Sequence, residues 1–398
     1  MSGRCRGGRR ARRWRAEVDA AIGGEFLLEE GFATVNHGAY GATPRAVLAA
    51  QDDWRARMER QPSRFFNGTI LPALRSAAEE LGGFLGARGV DIGFVGNATE
   101  GMNGVLRSLA FAPGDEIVVL AHVYGAVRNT VRHVCSVSGA RMVEVPVAFP
   151  RPDDGEVLAG LAAALGPRVR LAVLDHITSS SALLLPIVEM VALCHARGVK
   201  VLVDGAHAPG QVALDLAALD ADWYVGNCHK WLFAPKGCGF LWARGDRQEG
   251  IHPAVISHGY GQGFAAEFDW TGTRDPSAWL AVPAALAFHA RLGGAGLMAR
   301  NVALAASAAA GLAARFGTET GAGNRAAGAM ATVRLPDGRP ADRARAEAVR
   351  ARLLAMGTDV PVMVHNDRLW LRLSAQAYND PADFERMGAL VTQAVAAV

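Results

Sequence analysis

Two neighbouring apolar runs end in residues of opposite charge. One run is Val201-Leu-Val-Asp204-Gly-Ala-His207-Ala-Pro-Gly210; the next is Trp223-Tyr-Val-Gly-Asn-Cys-His229-Lys230-Trp231. A lysine that closes an apolar run must lose its proton or find a partner, because a desolvated ammonium is costly. Burial and a cationic neighbour lower its pKa, and the neutral amine attacks an aldehyde. A carboxylate at the end of the preceding strand points into the same crevice and can keep a pyridine nitrogen protonated. Together Lys230 and Asp204 form the smallest constellation that pyridoxal phosphate requires. Gly96-Asn97-Ala98-Thr99-Glu100-Gly101 adds a strand-to-helix turn whose N–H groups and hydroxyl suit a phosphate. Arg372, inside the apolar stretch Leu369–Leu373, needs an anion.

Each of these residues also has a plainer reading. An aspartate before glycine caps turns, which fits Asp204. His176 and His207 fit as hydrogen-bonded core histidines, and Tyr124 as packing. Asp359 or Asp367 could neutralise Arg372. The sequence has no GxxxxGK[ST], GxSxG or HExxH, which sets aside a nucleotide P-loop, a serine hydrolase and a zinc protease.

The elements that must position these residues are legible. Asp91–Val95, Glu116–Leu120, Arg141–Val147, Val169–Leu174, Val199–Val203, Trp223–Val225 and Gly239–Trp242 are rich in Val, Ile and Leu without polar alternation. Such runs are strands buried on both faces. Helical stretches between them, such as Pro186–Arg197 stopped by Gly198, make βαβ units. The expected fold is α/β: a mostly parallel sheet wrapped by helices, with its site at the carboxyl ends of the strands. Thr43-Pro44 starts a helix reaching about Arg60, and another follows Pro72. Helices are expected over Pro276–Leu292 and Leu297–Phe316. Gly317–Gly328 carries four glycines and marks a boundary. The large domain is read as 16–316, and a small α+β domain as 329–398.

Composition narrows the partners. Apolar residues make up 51% and charged residues 20%, as in a globular enzyme. The net charge is +3, but seven arginines lie within residues 1–15; without them the remainder is −4. That basic start is read as a disordered extension, and nucleic acid is not expected as a partner. No uninterrupted apolar stretch has membrane-spanning length, the blandest being Val302–Ala314. Five cysteines without a CxxC pair argue against a disulfide scaffold or a metal site, and for a cytoplasmic setting.

The ordered motifs carry a resemblance. They are Asn36-His37-Gly38-Ala39-Tyr40-Gly41-Ala42-Thr43-Pro44, Asn97-Ala98-Thr99-Glu100-Gly101, Asp175-His176-Ile177-Thr178-Ser179, Asp204-Gly205-Ala206-His207, His229-Lys230-Trp231 with Ala234-Pro235-Lys236-Gly237, Thr271-Gly272-Thr273-Arg274-Asp275, and Leu371-Arg372-Leu373-Ser374. The chain resembles the class V aminotransferase family of pyridoxal-phosphate enzymes, fold type I. Within it, the isopenicillin N epimerase-like branch is most similar, a branch that also holds carbon–sulfur lyases.

The resemblance implies that Lys230 binds the cofactor aldehyde and moves the Cα proton, that Asp204 holds the ring nitrogen, and that His207 bonds the ring's phenolic oxygen. It implies Ala98, Thr99 and His229 at the phosphate, Tyr124 on the ring face, and Ser179 and His176 beside the cofactor. Arg372 would clamp the carboxylate of a small amino-acid substrate, with Asn36 and His37 on the substrate side. Thr273 would reach the neighbouring subunit's site, so a homodimer is implied. The expected reaction is epimerisation or Cβ–S cleavage, with transamination or a non-catalytic binding protein as alternatives. Residues 239–398 contain no cysteine, which argues against a protein persulfide. Phe65, Phe66, Tyr260, Phe264 and Trp270 suggest an apolar side of the pocket, and His258, Arg274 and Arg64 a second anion site.

Overall fold

The computed structural model describes residues 22–323 and 328–398. The basic extension, residues 1–15, lies outside the described residues.

Seven strands form the central sheet: β1 Ile92–Val95, β2 Glu116–Leu120, β3 Arg141–Val145, β4 Val169–Asp175, β5 Lys200–Gly205, β6 Trp223–Asn227 and β7 Gly239–Ala243. Their spatial order is β1-β7-β6-β5-β4-β2-β3. The five strands β2 to β6 pair in parallel, whereas β7 is antiparallel to both β6 and β1. Both faces are apolar, and alternate residues supply two cores. Val118 and Leu120 face one, while Ile117 and Val119 face the other. Register then places chemistry: Asp175 of β4 lies opposite Asp204 of β5, and Gly205 opposite Gly226 of β6. The carboxyl ends of three adjacent strands therefore open on one crevice.

Prolines set several boundaries differently from the sequence expectation. The helix placed after Pro72 begins upstream, as Pro62–Arg64, a π turn Phe65–Thr69 and Ile70–Leu85. Pro72 lies inside this continuous run, three residues after the π turn, and has no N–H to donate to the turn before it. The helix expected over Pro276–Leu292 is two, Ser277–Leu280 and Val282–Arg291, because Pro283 removes a ladder donor.

A second core gathers β8 Met330–Arg334, β9 Val362–His365 and β10 Arg368–Ser374, an antiparallel sheet in the order β9-β10-β8. Helices Arg343–Ala355 and Pro381–Ala396 cover it; the latter starts on an Asp380 capping box with Pro381 at its first position. The amino-terminal segment joins this core: Ala33–Thr34 pairs in parallel with Thr358–Asp359, and Val35 is fully buried. Helix Ala295–Phe316 is long and apolar enough to cross a membrane by length and composition. Its stripe Ala305, Ala309, Leu312 and Phe316 packs into the second core, so the same pattern serves a core helix.

Candidate active site

A cavity of about 380 Å³ opens at the carboxyl ends of the central strands. Lys230, Asp204, His207, Ala98, Thr99, Tyr124, His229 and Ser179 all line it. Eight expected residues, scattered over 133 positions of sequence, thus meet in one place.

Lys230 follows β6 in a loop held from both sides. The amides of Cys228 and His229 donate to the Cys238 carbonyl. His37 Nε2 donates to the Lys230 carbonyl at 2.9 Å, while its Nδ1 accepts from the Tyr378 hydroxyl at 2.9 Å. Gly41 passes so close that a Cβ there would stand 2.0 Å from the His229 carbonyl oxygen, and its φ of +68° favours glycine. The Lys230 amine lies 3.2 Å from His207 Nε2. Burial, then the Arg372 charge, lowers its pKa to about 8 against the pull of Asp204. The chain contains only three lysines, and the other two, Lys200 and Lys236, are exposed. With a pKa near 8, about a quarter of the amine is neutral at pH 7.5, so the rate at which apoprotein captures pyridoxal phosphate is expected to rise through that range. Stopped-flow recombination from pH 6 to 9.5 reads this directly; a rate that does not change across it contradicts the assignment.

Asp204 is 5% exposed and accepts the Ala206 N–H at 3.0 Å. Burial raises its pKa, opposed by that bond and by Lys230. His207 is held neutral by burial, with the Lys230 charge adding to the effect, and its Nδ1 is a buried atom without a partner. Helix Ala98–Ser108 starts on an Asn97 cap, and its first two residues line the cavity. That end is a natural anion site. His229 donates from Nδ1 to the Cys238 carbonyl at 2.8 Å and is kept neutral by burial, which lowers its pKa to about 4.

Arg372 is 4% exposed. It donates to the Ser179 carbonyl at 2.6 Å and to Asn36 Oδ1 at 3.2 Å, and its Nε is buried without a partner. Among the described residues no carboxylate pairs with it. Asp359, one of the two anions the sequence offered, is bidentate to Arg350 instead.

Several residues stand elsewhere. His37, Asn36 and Arg372 are not among the residues lining the cavity: His37 braces the Lys230 loop, where burial lowers its pKa to about 3, while Arg372 bonds both Asn36 and the lining residue Ser179. His176 does not line it either: its Nδ1 bonds the Tyr224 hydroxyl at 2.9 Å beneath the strands. Thr273 lines a separate surface groove of about 870 Å³ together with Phe66, His258 and Trp270. Phe65 and Phe264 are core residues. Two of the cavity residues to which the sequence reading gave no role matter most. Asn227, three positions before the lysine, accepts the Ala98 N–H at 2.8 Å and so ties the lysine strand to the anion helix. Asp175 puts a second carboxyl beside Asp204; burial and then the Asp204 charge hold its pKa well above the usual range, and its Oδ2 has no partner. Both sit at the ends of buried strands, the signal that picked out Asp204.

The unpartnered His207 Nδ1 and Asp175 Oδ2, the solitary amine and the helix start together fit an aromatic aldehyde bearing a phosphate. Fold and site thus define a pyridoxal-phosphate-dependent enzyme of fold type I. More particularly, the chain belongs to the class V aminotransferase family, whose model matches residues 39–387. Putative L-cysteine desulfhydrase 1 of Oryza sativa subsp. japonica is 34% identical over 97% of this chain and 88% of its own length. Isopenicillin N epimerase of Amycolatopsis lactamdurans is 36% identical over 91% and 95%. Among solved structures, C-DES with glycine covalently linked to its cofactor superposes with a TM-score of 0.81, at 22% identity over 92% of this chain and 98% of that one. The cysteine desulfurase CsdA of Escherichia coli gives 0.79, at 22% identity over 96% and 99%.

Proposed function

We propose that this enzyme is a carbon–sulfur lyase that takes the Cα proton from a β-thio L-amino acid such as L-cysteine and releases the sulfur. One observation carries the reading: a single lysine amine lines the cavity and feels the charge of buried Arg372, which bonds the cavity residue Ser179 and which no carboxylate among the described residues neutralises. Elimination needs one proton carrier on one face, which Lys230 supplies. Bound pyridoxal phosphate supplies the sink for the Cα electron pair. Arg372 holds the α-carboxylate and fixes the Cα–H bond relative to Lys230. Asp204, buried at the cavity wall, would supply a negative charge to the ring nitrogen. Among the described residues no cysteine lines the cavity. With none of their thiols at the site to collect it, the sulfur is expected to leave as free sulfide: L-cysteine and one water give sulfide, pyruvate and ammonia.

Thr273 stands outside its own cavity, which supports a homodimer in which it serves the other subunit. The free thiols accord with a reducing cytoplasm. Cα epimerisation is the second reading. Tyr124, 46% exposed and lining the cavity, offers a hydroxyl for the opposite face. Product analysis separates the two. L-Cysteine is expected to give sulfide and pyruvate in equal amounts. Loss of optical rotation without pyruvate supports epimerisation instead, and neither product from any L-amino acid contradicts both.

A further inference from the structure

Asn36 sits between two groups that would otherwise pair. Its Nδ2 donates to Asp359 Oδ2 at 2.7 Å, and its Oδ1 accepts from Arg372 at 3.2 Å. A carboxylate only accepts and a guanidinium only donates, so an amide is the side chain that satisfies both at once. Asp359 already gives both oxygens to Arg350, at 2.9 and 3.0 Å. Asn36 cannot withdraw. It is 8% exposed, and its strand is clamped by the Ala33–Thr34 ladder and by the Ser374 N–H on the Val35 carbonyl at 2.7 Å. Arg372 is thereby left with neutral partners only.

We propose that Asn36 is a polarity adapter: it keeps the buried Arg372 guanidinium from pairing with Asp359 and reserves that charge for the α-carboxylate of an amino-acid substrate. This rests on the amino-acid reading above. Asn36 is then a positioning residue, acting through Arg372. The nearby Arg350 charge adds to the need, since it repels the guanidinium while burial lowers the pKa of Arg372 to about 10. An incoming carboxylate supplies what the fold withholds.

The test separates the carboxylate from the amine. L-Alanine and ethylamine share the amine that Lys230's site receives, but only L-alanine carries the carboxylate. Calorimetric titration of the holoenzyme with each gives the two dissociation constants. Asn36→Asp puts a permanent anion on Arg372. It is expected to weaken L-alanine at least about tenfold while ethylamine stays within about twofold. Because two carboxylates would then meet at Asp359, the double variant Asn36→Asp/Asp359→Asn is measured as well. It restores donor against acceptor, folds, and shows the same selective loss. Unchanged L-alanine affinity in the folded double variant overturns the proposal, as does equal weakening of both ligands. Wild-type holoenzyme that binds neither ligand overturns the amino-acid reading, and this proposal with it.

Discussion

Lys230→Ala is expected to lower turnover by roughly 10²–10⁴-fold while leaving the fold intact. The amine is the one lysine nitrogen in the cavity, and among the described residues its one side-chain hydrogen bond is to His207 Nε2 at 3.2 Å. His207 and His229 are held neutral with depressed pKa values and accept protons poorly near pH 7. Removing the amine also removes a charge that burial disfavours. The sign follows from a folded pKa of about 8 below the usual lysine value of 10.5: the ammonium costs stability at low pH, and that cost fades as pH rises through this interval. The apo variant is therefore expected to melt at the same or a higher temperature than wild type at pH 7. Added methylamine, small enough for the vacated space, is expected to restore part of the activity. Steady-state rates with and without methylamine, with melting curves, check all three points.

Asp204→Asn is expected to move activity and stability in opposite directions. In the holoenzyme the carboxylate is the buried anion available to the ring nitrogen. Removing one partner of such a pair costs about 2–5 kcal/mol, roughly 30- to 4,000-fold in rate or cofactor affinity. In the apoprotein the same group is a liability. Its pKa, and that of Asp175 opposite it, are raised chiefly by burial. A carboxyl whose folded pKa is raised contributes stability that is fully present below its unfolded value and lost as pH rises through the folded value. Asparagine does not ionise, so that loss disappears. The apo variant is expected to be more stable than apo wild type at pH 7, and the two should converge near pH 3. Cofactor dissociation constants and paired melting curves at both pH values test this. A variant apoprotein that melts lower at pH 7 contradicts the placement of the carboxylate.

The central sheet was legible because its strands are apolar on both faces, a pattern unlike an amphipathic helix. Lys230 and Asp204 were legible because a charged residue closing such a run demands a reason. The resemblance set His37 and His176 beside the ligands, whereas the plainer reading of His176 as a core histidine is the one the structure matches; a histidine in a motif looks the same whether it meets a ligand or another protein group. Only the Lys230 carbonyl and the Tyr224 hydroxyl distinguish these cases. The helix split at Pro283 was in the sequence but was outweighed by the apolar stretch around it. The pairing of Ala33–Thr34 with Thr358–Asp359 joins segments more than 300 residues apart, which local pattern cannot reveal. That pairing is what brings Asn36 to Arg372.

Three lysines make the decisive measurement clean. Protein loaded with pyridoxal phosphate, reduced with borohydride and digested, should carry the label on the peptide containing Lys230 alone, at one label per chain. A label on Lys200 or Lys236, or no covalent label at all, would contradict the account.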